Sequence, residues 1–380
     1  MSPVLYAIVT NHGFGHAARS LAVLRELHRQ SPQIRVLLNT SVPRWFVESM
    51  LGDAPVTYCG QPLDVGIRQR DFLTMDLPAT LADLRQLYAQ VDAGLLDQEA
   101  RFVRREGVGL VFADIPPLAS DLARRAGVPC WMLGNFGWDF IYRYYADELP
   151  GFADMADRAA ASYARVAQMF RPPFSETTTL DAVFPRITGV GLTGATPRFS
   201  RAEVLRMLAL PADNKDDANE RPPLVLLSFG GLGLDGVPYA KLAEFDGRRR
   251  PARHFLTFDA AAPPLANLQI ITDVRLRQID LLPIVERLIS KPGHGTFCEV
   301  ARTRTNFVCL DRDNFPETPV LSDALRNHFT HRILGLPEFF NGDWGFVTEP
   351  LTPPAAGGSD DHGVDGNITI AAAISEYFAG

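Results

Sequence analysis

Cysteine is scarce: the 380 residues hold Cys59, Cys130, Cys298 and Cys309, and no Cys-x-x-Cys pair among them. That excludes a disulfide framework or a zinc ribbon and points to reduced thiols of a cytoplasmic protein. Positive charge is also short. A formal net charge of −7 counts against nucleic acid as a partner, since phosphate binding needs a basic face. The Arg248-Arg249-Arg250 run with Arg253 reads as a solvated loop. No apolar run approaches the ~18 residues needed to span a bilayer. The short apolar run at 4–9 has no basic region before it, so no signal peptide is expected. Without a basic amphipathic stretch, stable membrane insertion or docking is not expected either. What is present, 46% hydrophobic and 21% charged residues, is ordinary for a globular chain, and the length suits two domains.

Apolar strand-like runs alternate with amphipathic helix-like runs, the pattern of an α/β protein with parallel sheets. The first half predicts strands at 5–10, 34–40, 109–114 and 128–133, and helices at 17–30, 77–105, 118–126 and 155–169. In the first of these helices Leu21, Leu24 and Leu27 share a face. Residues 171–200, rich in Pro, Gly and Thr, read as a linker. Beyond the polar segment 211–223 come strands at 224–229, 254–258, 268–272, 288–290 and 306–310. Helices are predicted at 279–287, 295–304, 318–334 and 367–378, with a mobile loop at 352–366. The expected division is 1–200, 201–366 and a carboxy-terminal helix at 367–380.

Each half carries a glycine-rich turn between a strand and a helix. Such a turn aims unpaired N–H groups and a helix dipole at an anion. Two of them suggest two nucleotide-binding-type domains facing each other across a cleft. The first is Asn11-His12-Gly13-Phe14-Gly15-His16. Gly13-x-Gly15-x-x-Ala18 loosely fits a dinucleotide fingerprint, but the next strand ends Asn39-Thr40, without the acid that would hold a ribose. The unusual residue is His16, placed on the first helical turn as a candidate general base. Asp114 ends a neighbouring parallel strand and is the natural group to fix its tautomer. The plain alternatives are that His12 or His16 caps the turn and that Asp114 caps the helix near Leu118.

The second turn, Ser290-Lys291-Pro292-Gly293-His294-Gly295-Thr296 with Glu299 beyond it, agrees in more residue types. Gly293 and Gly295 permit close approach of a diphosphate, Thr296 adds a hydroxyl and Lys291 a positive charge. Glu299 is suited to accept from both hydroxyls of a ribose, or simply to stabilise the helix dipole. No Gly-Lys-Ser/Thr closes the turn, so it is not a P-loop. Ser228-Phe229-Gly230-Gly231 adds backbone donors from the first strand of the same domain.

These residues resemble the GT-B glycosyltransferases, over nearly the whole chain. That fold has two Rossmann-like domains, an acceptor site in the first and a nucleotide-sugar site in the second. The Gly13-Phe14-Gly15-His16 turn is similar to that of plant-type and peptidoglycan-type transferases. By this resemblance His16 is the base, Asp114 its orienting carboxylate, and the segment from Ser290 to Glu299, including His294, the donor signature, with Lys291 where many members have histidine. Within the fold, the segments His12-Gly13-Phe14-Gly15-His16-Ala17-x-Arg19, Asn135-Phe136-x-Trp138-Asp139-Phe140-Ile141-Tyr142 and Arg312-Asp313-x-Phe315-x-Glu317 look like the amino-terminal module of plant L-arabinokinases. Asp313 and Glu317 then hold donor-sugar hydroxyls, or are surface acids. His12, Asn135, Phe136 and Trp138 fall to the acceptor, the aromatic run being alternatively core packing.

The resemblance implies an inverting, metal-independent transfer from a nucleoside diphosphate sugar, a UDP-sugar first, to a small-molecule or lipid-linked acceptor, with no further cofactor. An epimerase-like isomerase and a catalytically idle nucleotide- or sugar-binding module remain as alternatives.

Overall fold

The computed structural model describes residues 2–70, 73–211, 221–230, 233–312, 314–355 and 362–380. The chain divides into two compact units. The first is Met1–Gly194 with Phe315–Val320 and Asp361–Gly380, and the second is Ala195–Asn314 with Leu321–Asp360.

In the first unit the described residues form a seven-stranded parallel sheet of β1 (Val4–Val9), β2 (Arg35–Thr40), β3 (Thr57–Tyr58), β4 (Leu110–Ala113), β5 (Cys130–Leu133), β6 (Gln168–Arg171) and β7 (Ile187–Gly189). Their spatial order is 3-2-1-4-5-6-7. β1 is buried along its whole length, which is why it reads as a continuous apolar run instead of an alternating one. β1 and β4 are neighbours, with Ile8 opposite Ala113. The chain ends following them therefore emerge side by side: Asp114 N–H donates to the Ile8 carbonyl at 3.1 Å. Gly13, at φ 85°, turns the chain into the Phe14–Gln30 helix, which buries Ala17, Leu21 and Leu24. The final helix, Gly366–Ala379, docks on this unit. Ser375 meets Ser31 through their hydroxyls at 2.9 Å, and Tyr377 donates to the Gly109 carbonyl.

The second unit's described residues form a six-stranded parallel sheet, β8 (Leu224–Leu227), β9 (His254–Thr257), β10 (Leu268–Ile270), β11 (Arg287–Ser290), β12 (Asn306–Leu310) and β13 (His331–Leu334), in the order 10-9-8-11-12-13. β8 and β11 are central, so the turns after them leave the same sheet edge.

Several expectations need correction. The helix predicted at 318–334 is a helix Thr318–His328 followed by β13, and that at 155–169 is a helix Gly151–Tyr163 followed by β6. In both, apolar residues continue from helix into strand without a periodicity break. The stretch 279–287 holds only a short helix Gln278–Leu281 and a 3-10 turn before β11. The predicted linker contains the Thr178–Val183 helix and β7. The helix expected over 77–105 breaks at Gly94, whose φ of 101° is left-handed.

Candidate functional site

The first-unit site is built around a buried carboxylate. Asp114 is wholly buried, and it accepts from Arg19 Nε at 2.7 Å, Arg19 Nη2 at 2.6 Å and Ser20 Oγ at 2.6 Å. His16 Nδ1 lies 2.8 Å from Asp114 Oδ1. At that distance a proton must lie between the ring nitrogen and the acceptor-only carboxylate. His16 is thus the Nδ1–H tautomer, and the lone pair is left on Nε2. Burial would raise the Asp114 carboxyl, but the charges of Arg19 and His16 and their hydrogen bonds hold it well below the usual range. His16 is lowered, first by burial and then by the Arg19 charge, with Asp114 opposing both. The imidazole is therefore neutral at pH 7, and its side chain keeps 14% exposure.

Residues 16, 19 and 20 reach one carboxylate because they share a face of the helix. Arg19 also donates to Asn135 Oδ1 through Nη1 at 2.5 Å, and Asn135 donates to Glu317. Glu317, expected at donor-sugar hydroxyls, thus joins a polar chain within the first unit. Asn135, Phe136 and Trp138 are 1%, 3% and 2% exposed, so the two aromatics are not an open stacking surface for an acceptor. They brace the histidines instead: Phe136 packs edge-on to His16 and Trp138 edge-on to His12. His12 Nε2 lies 2.8 Å from Asp64 Oδ2.

In the second unit, Ser290 Oγ donates to the Ser228 carbonyl at 2.5 Å, tying the two strand ends together. Gly230 has φ 78°, and a Cβ there would lie 3.3 Å from Lys291 Cε, so the lysine stem runs over this turn. Gly293 caps the His294–Thr303 helix, and a Cβ on it would meet nothing within 4 Å. The helix's first N–H groups point along its axis at the amino end, an arrangement that suits an anion. His294 is buried at 6% exposure with Cys298 Sγ 3.8 Å from its ring, so its side chain is part of the packing. Gln278 Nε2 lies 2.8 Å from Glu299 Oε2 and 3.5 Å from Thr296 Oγ1, placing the carboxylate and the hydroxyl together. Burial pushes Glu299 up to about 7. Gly231 and Asp313 lie outside the described residues.

Sequence reasoning missed Arg19 and Ser20 as partners of Asp114. The signal was the three-residue spacing from His16 to Arg19 on one helix. Among the described residues there is no group of three or more His, Cys, Asp or Glu side chains fit to hold a metal, and no helix is long and apolar enough to cross a membrane.

No protein-family model matches the chain. It is 26% identical over 387 residues to L-arabinokinase of Arabidopsis thaliana, which covers 98% of this chain but 34% of that protein. The chain thus spans about a third of that relative's length. Among solved structures, the calicheamicin glycosyltransferase CalG4 is 13% identical with a TM-score of 0.64, covering 100% of this chain and 99% of that one. A UDP-glucosyltransferase from Polygonum tinctorium able to glucosylate indoxyl is 12% identical with a TM-score of 0.63, at 100% and 99% coverage. MurG of Acinetobacter baumannii is 13% identical with a TM-score of 0.57, at 98% and 99% coverage. With both sheets parallel and these structures matched end to end, the chain has the α/β fold of the GT-B glycosyltransferases.

Proposed function

We propose that this chain is an inverting glycosyltransferase that moves a sugar from a nucleoside diphosphate donor, a UDP-sugar first, to an acceptor hydroxyl. The observation that carries the reading is the neutral His16 imidazole, oriented by buried Asp114 with Nε2 unprotonated. In the reaction, His16 Nε2 takes the acceptor proton while the acceptor oxygen bonds to the anomeric carbon from the face opposite the leaving group. The bond from that carbon to the diphosphate oxygen breaks, and the nucleoside diphosphate departs with the electron pair. Asp114 stabilises the imidazolium formed.

The second unit has the features of a donor cradle. The N–H groups opening the His294–Thr303 helix, the Ser228–Gly230 turn and Lys291 supply fixed positive potential for a leaving diphosphate, so the reading requires no catalytic metal. Glu299 and Thr296 are the groups assigned to the ribose.

Thermal stability measured with UDP, GDP, dTDP, ADP, CDP and NAD tests this on wild type and Glu299→Ala. A ligand at about 100 times its Kd stabilises by roughly 2.7 kcal/mol. One diphosphate should stabilise the wild type, and Glu299→Ala should lose most of the shift. A shift with NAD alone, or with none of them, rules the reading out.

A further inference from the structure

The hydrogen bonds that start at Asp114 do not end at Arg19. A guanidinium carries N–H donors and no acceptor. Nε and Nη2 of Arg19 are spent on Asp114, and Nη1 donates to Asn135 Oδ1 at 2.5 Å. Asn135 in turn donates from Nδ2 to Glu317 Oε1, also at 2.5 Å. Arg19, Asn135 and Glu317 are all buried, so the line runs where water competes little and each bond holds its geometry.

The polarity of this line is fixed at both ends. Arginine can only donate and a carboxylate can only accept, so the Asn135 amide fits between them in one orientation. Turned over, it would set Nδ2 against Arg19 Nη1 and Oδ1 against the carboxylate. Glu317 therefore decides which edge of the amide Arg19 meets.

Glu317 is itself held in place. It lies on a turn in which the Thr318 N–H donates to the Phe315 carbonyl at 3.0 Å, and Phe315 packs against the apolar core of the first unit. The stretch Phe315–Val320 groups with that unit, although the chain on either side of it, Ala195–Asn314 and Leu321–Asp360, belongs to the second.

The ionisable groups acting on the His16 ring are Arg19 on its own helix, Asp114 beyond β4, and His12 before the helix, itself paired with Asp64. Arg19 and His12 oppose the imidazolium, and Asp114 favours it. A guanidinium free to swing away would oppose it less and would leave more of the Asp114 charge to the ring.

We propose that Glu317 is a positioning residue for His16: through Asn135 it holds the Arg19 guanidinium where it shares Asp114 with the ring. The use of that ring as a base rests on the transferase reading, whereas the positioning does not.

The protonation of His16, followed by NMR on the full chain without substrate and assigned by the signal missing from His16→Gln, tests this. Glu317→Gln keeps an acceptor for Asn135 Nδ2 and removes only the charge, so the His16 midpoint should stay close to that of wild type. Glu317→Leu removes the acceptor, and the midpoint should rise by roughly 0.3–1 pH unit. Glu317→Leu combined with Asn135→Leu replaces both partners by apolar groups, which keeps a second variant available should the first not fold, and should show a similar rise. An unchanged or lowered midpoint in a folded leucine variant, or a rise in Glu317→Gln equal to that in Glu317→Leu, overturns the proposal. UDP release from a UDP-sugar keeps the two readings apart. A raised midpoint in a protein whose wild type releases no UDP supports the positioning and removes the role as base, whereas UDP release with an unmoved midpoint removes the positioning alone.

Discussion

Arg19 and His16 converge on the same oxygen of Asp114, Arg19 Nη2 at 2.6 Å and His16 Nδ1 at 2.8 Å, with the two nitrogens 2.9 Å apart. The carboxylate is thus shared between a permanent cation and the ring it orients. The guanidinium beside the ring disfavours the imidazolium, so Arg19 helps to keep the ring neutral.

The acid limb of the transfer rate should report this. A base works only while deprotonated, so in the proposed role the lowered His16 should keep activity below its ordinary value near 6.5. In Arg19→Met the guanidinium no longer opposes protonation, and the acid limb should move to higher pH. A merely structural arginine would lower the rate at every pH and leave the limb in place.

Asp114→Asn should cost roughly 3–5 kcal/mol of stability at pH 7, because it leaves the Arg19 charge buried without its partner. The wild-type carboxyl is depressed in the folded state, so its contribution is present above the unfolded value near 3.9 and is lost as pH falls below it. Denaturant melts from pH 5 to pH 2 should therefore show wild-type stability falling across the range, with a shallower slope in Asp114→Asn.

Glu299 behaves in the opposite sense. Its folded value of about 7 lies above the ordinary 4.5, so the folded state holds the extra proton between those values. That contribution is complete below 4.5 and is lost as pH rises through 7. Glu299→Gln should accordingly be more stable than wild type at pH 8, with the difference shrinking towards pH 5. Nucleoside diphosphate binding should show a component that strengthens as Glu299 ionises near pH 7 and that is missing in Glu299→Gln.

Gly60, at φ 83°, leaves no room for a side chain: a Cβ there would lie 2.4 Å from both Asn39 Nδ2 and Tyr6 Oη. Gly60→Ala should displace the Asn39 amide and cost about 1–3 kcal/mol. Denaturant melts of the two proteins side by side check it.

The central strands were legible because strands buried on both faces are continuous apolar runs, as in β1, β4, β8 and β12. β3, with two residues, and β13, joined to its helix by two residues, leave no such signature. His16 and Asp114 could be paired from sequence because parallel neighbours end at one edge. Arg19 was overlooked despite its three-residue spacing from His16, since an arginine on an amphipathic helix reads as its solvated face, yet this one is 3% exposed. Asn39 drew notice only as the place where an acid was missing.

The most direct test is release of UDP from a UDP-sugar, with and without a neutral monosaccharide, by wild type and His16→Ala, alongside the UDP dissociation constant of each. The rate should fall roughly 10²–10⁴-fold in His16→Ala with UDP affinity unchanged. An undiminished rate, or a parallel loss of rate and UDP affinity, would contradict His16 as the base.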